Sequence, residues 1–162
     1  MASELRRAVL IMDYQDMIVK NYSGGDAELT RRAASVLAAA RAKGLPVIHV
    51  VVRFRPGHVE CASRGMFKMV KENNMLLEGT SDAEIHADVA PEDGDVVVTK
   101  KRVSAFTGSD LEVVLRGLDV KHLVLFGIAT SGVVLSTVRQ AADMDFEMTV
   151  IKDCCADQDD EV

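Results

Sequence analysis

A chain of 162 residues, 48% hydrophobic and 27% charged with a formal net charge of −6, has the balance of a globular protein able to bury a core. The charge excludes a nucleic-acid surface built on clustered Lys and Arg, and the one basic clump, Lys100-Lys101-Arg102, is too short to reverse that. No stretch approaches the ~18 apolar residues of a membrane span, the N-terminus lacks a signal-peptide core, and three cysteines without a repeated spacing make neither a disulfide framework nor a zinc motif. The expectation is a single domain over residues 1–162, cytoplasmic, with no nucleic-acid or membrane partner.

Apolar runs then alternate with helical patterns. "RAVLIMDYQ" (7–15) reads as a buried strand ending in polar residues. "DAELTRRAASVLAAARAKG" (26–44) reads as a helix with Asp26 as N-cap, a stripe of Leu29, Ala33, Val36, Leu37 and Ala40, and Gly44 closing it. A second strand is expected over 45–54, and a long irregular segment with one short helix over 55–94, of a length that suggests site-building or partner-binding loops. A strand over 95–102, a helix over 108–120, a strand over 122–130, a helix over 131–145 and a strand over 147–155 complete the pattern. Strands apolar throughout, with helices between them, indicate a parallel sheet covered on both faces. The fold class is α/β, a doubly wound parallel sheet in a three-layer α/β/α sandwich.

In such sheets, sites gather beyond the carboxyl ends of the strands. Asp13 follows the first strand there, and a carboxylate at an apolar mouth can act as a general acid or base or simply cap a turn. Lys100 ends the third strand and could pair with it, whereas alternation turns Lys101 to the other side. "GIATSGVV" (127–134) is a strand end followed by a helix start, whose main-chain N–H groups at Ile128, Ala129 and Val133 could hold an oxyanion. Gln15, Arg53, Arg55 and Phe106 are placed as substrate-binding residues, with Tyr14, Phe54, Phe67 and Ile128 also at the mouth; Arg53 or Arg55 could hold a carboxylate or be a solvated loop residue. Cys154 and Cys155 follow the last strand, and buried cysteine is usually a small hydrophobe. The four histidines are scattered without ligand spacing, and His49, inside a strand, reads as a core residue.

Taken together, "AVLIMDYQ", "VIHVVVRFRPGH" and the run from "VVVTKKRVSAFTGSDL" through "GIATSGVV" to "DCCAD" resemble the isochorismatase-like hydrolase family, also called cysteine hydrolases. The resemblance implies a three-layer α/β/α fold. It also implies an Asp–Lys–Cys triad in the amidase branches, which selects Asp13 and Lys100 and lands the cysteine position on Val133. It implies a non-proline cis peptide at Ile128–Ala129. "VVRFRPGH" lacks the zinc-ligand grouping of nicotinamidase-like members, so no metal and no cofactor are expected. A hydrocarbon cannot replace a thiolate nucleophile. Isochorismatases proper, which cleave a vinyl ether with the aspartate as acid and water as the attacking species, are the precedent for working without one.

Three readings are open. The first is a hydrolase of a small organic molecule without a cysteine nucleophile, with Asp13 as acid/base assisted by Lys100. The second is a catalytically inactive member that binds a small ligand or serves as an oligomeric scaffold. The third is a thiol hydrolase that uses a displaced Cys154 or Cys155. The family pattern would continue past "DCCAD" with a further helix, so truncation or cover from another subunit is expected, and with it a homo-oligomer.

Overall fold

The computed structural model describes residues 6–24 and 26–159. Five strands, β1 (Arg7–Met12), β2 (Val47–Val52), β3 (Val96–Lys100), β4 (His122–Gly127) and β5 (Glu147–Val150), form one parallel sheet in the order β3-β2-β1-β4-β5. Successive residues of β1 face opposite layers: Ala8, Leu10 and Met12 join one core, Val9 and Ile11 the other. The first core is closed by Leu111 and Leu115 of α4 (Leu111–Gly117) and Ala141 of α5 (Leu135–Asp143). The second is closed by Leu29, Ala33 and Leu37 of α2 (Ala27–Ala42) and Val19 of α1 (Asp16–Tyr22). Burial of each large apolar side chain contributes about 1.5–3 kcal/mol, so a strand apolar on both faces is stable only between two such layers. The fold is the expected α/β/α sandwich. Among the described residues no helix is long and apolar enough to cross a membrane.

Local signals act as their chemistry dictates. The Asp26 side chain accepts from the Glu28 N–H at 2.9 Å and starts α2, and Gly44, at φ +65°, ends it. Several boundaries differ from the sequence expectation. The first strand stops at Met12 because Asp13 turns into the left-handed region, at φ 60°. The short helix α1 follows, where no helix is expected. Residues 55–94 hold α3 (Lys68–Glu72) and two short 3-10 turns, Ser81–Ala83 and Ala87–Val89. The helix expected over 131–145 opens with a wide π turn, Thr130–Val134, before α5. The last strand ends at Val150, and Lys152–Cys154 is a 3-10 turn.

Chain progression reverses at β1, with β2 and β3 to one side and β4 and β5 to the other, so a crevice opens at the carboxyl ends of β1 and β4. The two strands are pressed together there. A Cβ on Gly127 would lie 2.7 Å from Met12 O and 2.8 Å from Met12 Cβ, whereas one on Gly117, at the end of α4, meets nothing within 4 Å. Gly127→Ala should therefore cost about 2 kcal/mol or more in urea unfolding, while Gly117→Ala should be neutral or stabilising by up to about 1 kcal/mol. Equal midpoints for the two variants would contradict this packing.

Candidate active site

The crevice lies beyond the carboxyl ends of β1, β2, β3 and β4. Asp13 stands at the end of β1 with its N–H held by Val50 O at 2.9 Å. Lys100 ends β3, two strands away, a separation of about 10 Å that only a long side chain can bridge. It does so. Lys100 Nζ lies 3.0 Å from Asp13 Oδ2, and both side chains are buried, at 2% and 8% exposure. The same ammonium donates to Arg102 O and Val103 O, each at 2.9 Å, so its three hydrogens have three acceptors. Asp13 is less well provided. Its Oδ1 is buried without a partner. Burial holds the Asp13 carboxyl above the ordinary carboxylate range, outweighing the charge and hydrogen bond of Lys100, which act in the opposite direction.

Asp13 and Lys100 line a cavity of about 690 Å³ that Val133 also lines, together with Ile128 and Ala129, joined by a cis peptide. The 128–134 turn is fixed from outside. Thr130 N–H donates to Ala156 O at 3.0 Å, and Asp157 Oδ2 accepts from Ser131 N and Oγ at 2.8 and 2.6 Å. Those bonds hold the Asp157 carboxyl below its usual range even though burial opposes them. One expected oxyanion donor is corrected: Ile128 N–H already donates to Met12 O at 3.2 Å. Among the described residues, the N–H groups of Ala129 and Val133 have no partner outside the turn.

Four expected substrate contacts are also corrected. Gln15 lies outside the cavity; its buried amide spends both donors on Val52 O and Ala83 O and accepts from Val52 N–H, a clamp between chain segments. Arg53 turns to Ala83 O and Glu84, and Arg55 to Glu60. Phe106 is buried in the α4–α5 core, stacked against Phe146. Tyr14 likewise points away, its hydroxyl donating to Cys154 O at 2.7 Å. Phe54, Phe67 and Ile128 do line the cavity.

The sequence reading overlooked Met17, Met66, Met69, Met75 and Asp157, all in the wall, and gave no role to Arg102 and Ser131, which lie in the strand-end stretches and line it too. An available signal was the clustering of three of the chain's eight methionines at positions 66, 69 and 75. None of the three cysteines lines the cavity, and burial pushes the Cys154 thiol up to about 11. His49 is a core residue 3.2 Å from Asp95, with burial keeping it below its ordinary pKa. Among the described residues no cluster of His, Cys, Asp and Glu is arranged to hold a metal.

Removing Lys100 should expose the cost of the buried acid. In Lys100→Met the groups opposing burial are gone, so the folded-state pKa of Asp13 rises further above its ordinary 3.8. An acid with a raised folded pKa destabilises the fold as pH climbs from the unfolded value to the folded one. The variant should thus lose about 3–5 kcal/mol relative to wild type near pH 8 and clearly less near pH 5. Adding Asp13→Asn should recover most of the loss. Urea unfolding at both pH values measures it, and a pH-independent deficit in the single variant would contradict the account.

Comparison with known proteins places this geometry. Residues 7–162 match the isochorismatase domain model. The chain is 33% identical over 153 residues to the ureidoacrylate amidohydrolase RutB of Caulobacter vibrioides, covering 86% of this chain and 68% of that protein. It is 31% identical over 137 residues to the maleamate amidohydrolase of Pseudomonas putida, covering 85% and 64%. Across the ureidoacrylate relatives from Caulobacter vibrioides and Variovorax paradoxus it spans 60 to 68% of their length. Among solved structures, an isochorismatase family protein from Desulfovibrio vulgaris superposes with a TM-score of 0.86 at 27% identity, covering 98% of this chain and 85% of that one. A cysteine hydrolase from Pseudomonas syringae gives 0.83 at 25% identity, covering 98% and 80%. The chain belongs to the isochorismatase family.

Proposed function

We propose that this protein is a hydrolase of a small organic molecule that works without a cysteine nucleophile, using Asp13 as the acid, Lys100 to orient it and water as the attacking species. The observation that carries this is Asp13 Oδ1, buried without a partner on a residue that lines the cavity, while Oδ2 is tied to Lys100. The conflict between a protonated acid and an adjacent ammonium is eased by burial, which favours the neutral carboxyl. Hydrolytic chemistry is supported by the relatives, ureidoacrylate and maleamate amidohydrolases by name.

The residues suit proton donation followed by hydration. With an enol ether, Asp13 delivers a proton to the terminal alkene carbon. Water adds to the resulting oxocarbenium carbon and a proton returns to Asp13. The hemiketal then breaks at its C–O bond, giving an alcohol and a carbonyl. Val133 forms an apolar wall of the cavity, and the Ala129 and Val133 N–H groups are main-chain donors available to a polar oxygen of the substrate. A non-catalytic ligand-binding role is the second reading, favoured by the absence of every cysteine from the cavity wall.

A screen of enol ethers and amides tests both readings. With any substrate found, Asp13→Asn should lower kcat/KM by about 100-fold or more. Because the acid form is the working one, wild-type kcat/KM should be flat at low pH and fall as pH rises through the folded-state pKa of Asp13. A fall toward low pH instead would make Asp13 a base, and turnover unchanged in Asp13→Asn would remove its role. Turnover above an Asp13→Ala control would dispose of the binding-only reading.

Residue 133 can be tested separately. A thiol there, at a helix start in the cavity that Lys100 also lines, should have a pKa below the ordinary value of about 8.5. Iodoacetamide labelling of Val133→Cys against pH should show an added phase with that low midpoint over the wild-type background. An added thiol with an ordinary or raised midpoint would mean that the turn does not activate this position.

A further inference from the structure

The cavity wall divides into two chemistries. One is the Asp13–Lys100 end already described. The other is an apolar lobe of Met17, Met66, Met69 and Met75 with Phe54 and Phe67. Half of the chain's eight methionines are therefore in this one wall, and Met66 and Met69 are exposed at 71% and 57%. Thioether side chains adapt to the shape of an apolar guest, and a volume of this size fits a ligand of drug-like dimensions rather than a fragment of a few atoms.

A cation sits in the same wall. Arg102 places its guanidinium carbon 5.0 Å from the Phe67 ring centroid. Its terminal nitrogens donate to two neutral acceptors, Lys101 O at 2.7 Å and Glu60 O at 3.0 Å. The nearby Glu60 carboxylate is engaged by Arg55 at 2.6 Å and Lys101 at 3.5 Å. Asp157, across the wall, is bonded to Ser131. Among the described residues Arg102 makes no ion pair, so its charge faces a largely apolar cavity without a counter-ion. Arg53 and Arg55, the other arginines near this end of the sheet, both have carboxylate partners.

We propose that the cavity takes an amphipathic carboxylate. Arg102 supplies the missing ion pair to the ligand's carboxylate, and the methionine–phenylalanine lobe receives its aromatic or branched aliphatic body. Arg102 is thus a specificity-determining residue, and the inference rests on the reading of this cavity as the site of the reaction. A planar guanidinium placed over an aromatic ring and held by two carbonyls is preorganised for an incoming carboxylate.

Isothermal titration with 3-phenylpropionate, 3-phenylpropanol and acetate tests this. In wild type the phenylpropionate should bind at least about tenfold more tightly than either of the other two. Arg102→Gln should reduce the preference for the acid over the alcohol to within about twofold, leaving alcohol binding in place, and Arg102→Lys should retain part of it. Intact alcohol binding in Arg102→Gln shows that the variant is folded. Methyl NMR of labelled methionines should show Met17, Met66, Met69 and Met75 shifting on binding while Met144 and Met148, packed in the opposite core, do not. Equal affinity for acid and alcohol in wild type, a preference that survives in Arg102→Gln, or shifts outside the lobe would overturn the proposal. A preference that depends on Arg102 while turnover ignores Asp13 supports this inference and removes the acid. Turnover that needs Asp13 with no carboxylate preference removes this inference and leaves the acid.

Discussion

A single buried ammonium organises this end of the sheet. Lys100 reaches from β3 across β2 to Asp13 at the end of β1, and an ammonium withdrawn from water needs an acceptor for each hydrogen. Asp13 supplies one; the carbonyls of Arg102 and Val103 supply the others, so the chain after β3 must curl back around the side chain that precedes it. That curl carries residues 104 and 105 against α5. Ser104 Oγ donates to Gln140 Oε1 at 2.6 Å, and Ala105 N–H donates to Thr137 Oγ1 at 3.0 Å. Both acceptors lie on α5, directly after the 128–134 turn. The position of that turn relative to Asp13 is therefore tied to the lysine through a short run of hydrogen bonds as well as through the sheet.

The same arrangement makes the two oxygens of Asp13 unlike. Oδ2 is a partner of the ammonium, whereas Oδ1 has none, and an unsatisfied oxygen in a low-dielectric site favours the protonated carboxyl. Asp13 also occupies the left-handed region, which aspartate tolerates better than most residues and which takes its side chain out of the alternation of β1. Had the strand continued in register, residue 13 would face the layer of Val9 and Ile11.

Much of this was legible in the sequence, for identifiable reasons. The inner strands β1, β2 and β4 are largely buried and so read as apolar runs, whereas the partly exposed edge strands β3 and β5 were visible through their β-branched residues, and order along the chain with the α/β alternation led to the crevice. Asp13, Lys100 and Val133 do meet there. What failed was direction. Position at a strand mouth says that Gln15, Arg53 and Arg55 are near the crevice, not which way they point, and each had a nearer partner that only the fold reveals. The strand expected over 147–155 ran too long because Ile151 and Cys154 are apolar for a different reason: they pack in the α2 core from a 3-10 turn. The helix α1 buries only Val19, too little for a periodic signal. Alternation separated Lys101 from Lys100, and Lys101 does stay out of the cavity, against Glu60; that Arg102 returns to the cavity wall beyond it was not legible, because the chain curls after β3.

The turn at residue 133 shows where its geometry is determined. Its shape is set by main-chain and outer contacts: Thr130 on Ala156, Ser131 on Asp157, Gly127 against Met12, and the Ile128–Ala156 bridge. None of these involves the side chain of residue 133, so the backbone stays aimed at the cavity whichever side chain it carries. With valine there, residue 133 offers the cavity a main-chain N–H group and a hydrocarbon surface, so its side chain cannot attack. Polar side chains of the cavity, among them Asp13, Lys100, Arg102, Ser131 and Asp157, can orient a carboxylate, give up a proton or position water. In the function proposed above, this cavity supplies the acid and the charge that holds the substrate, and the attacking atom is brought in from solvent.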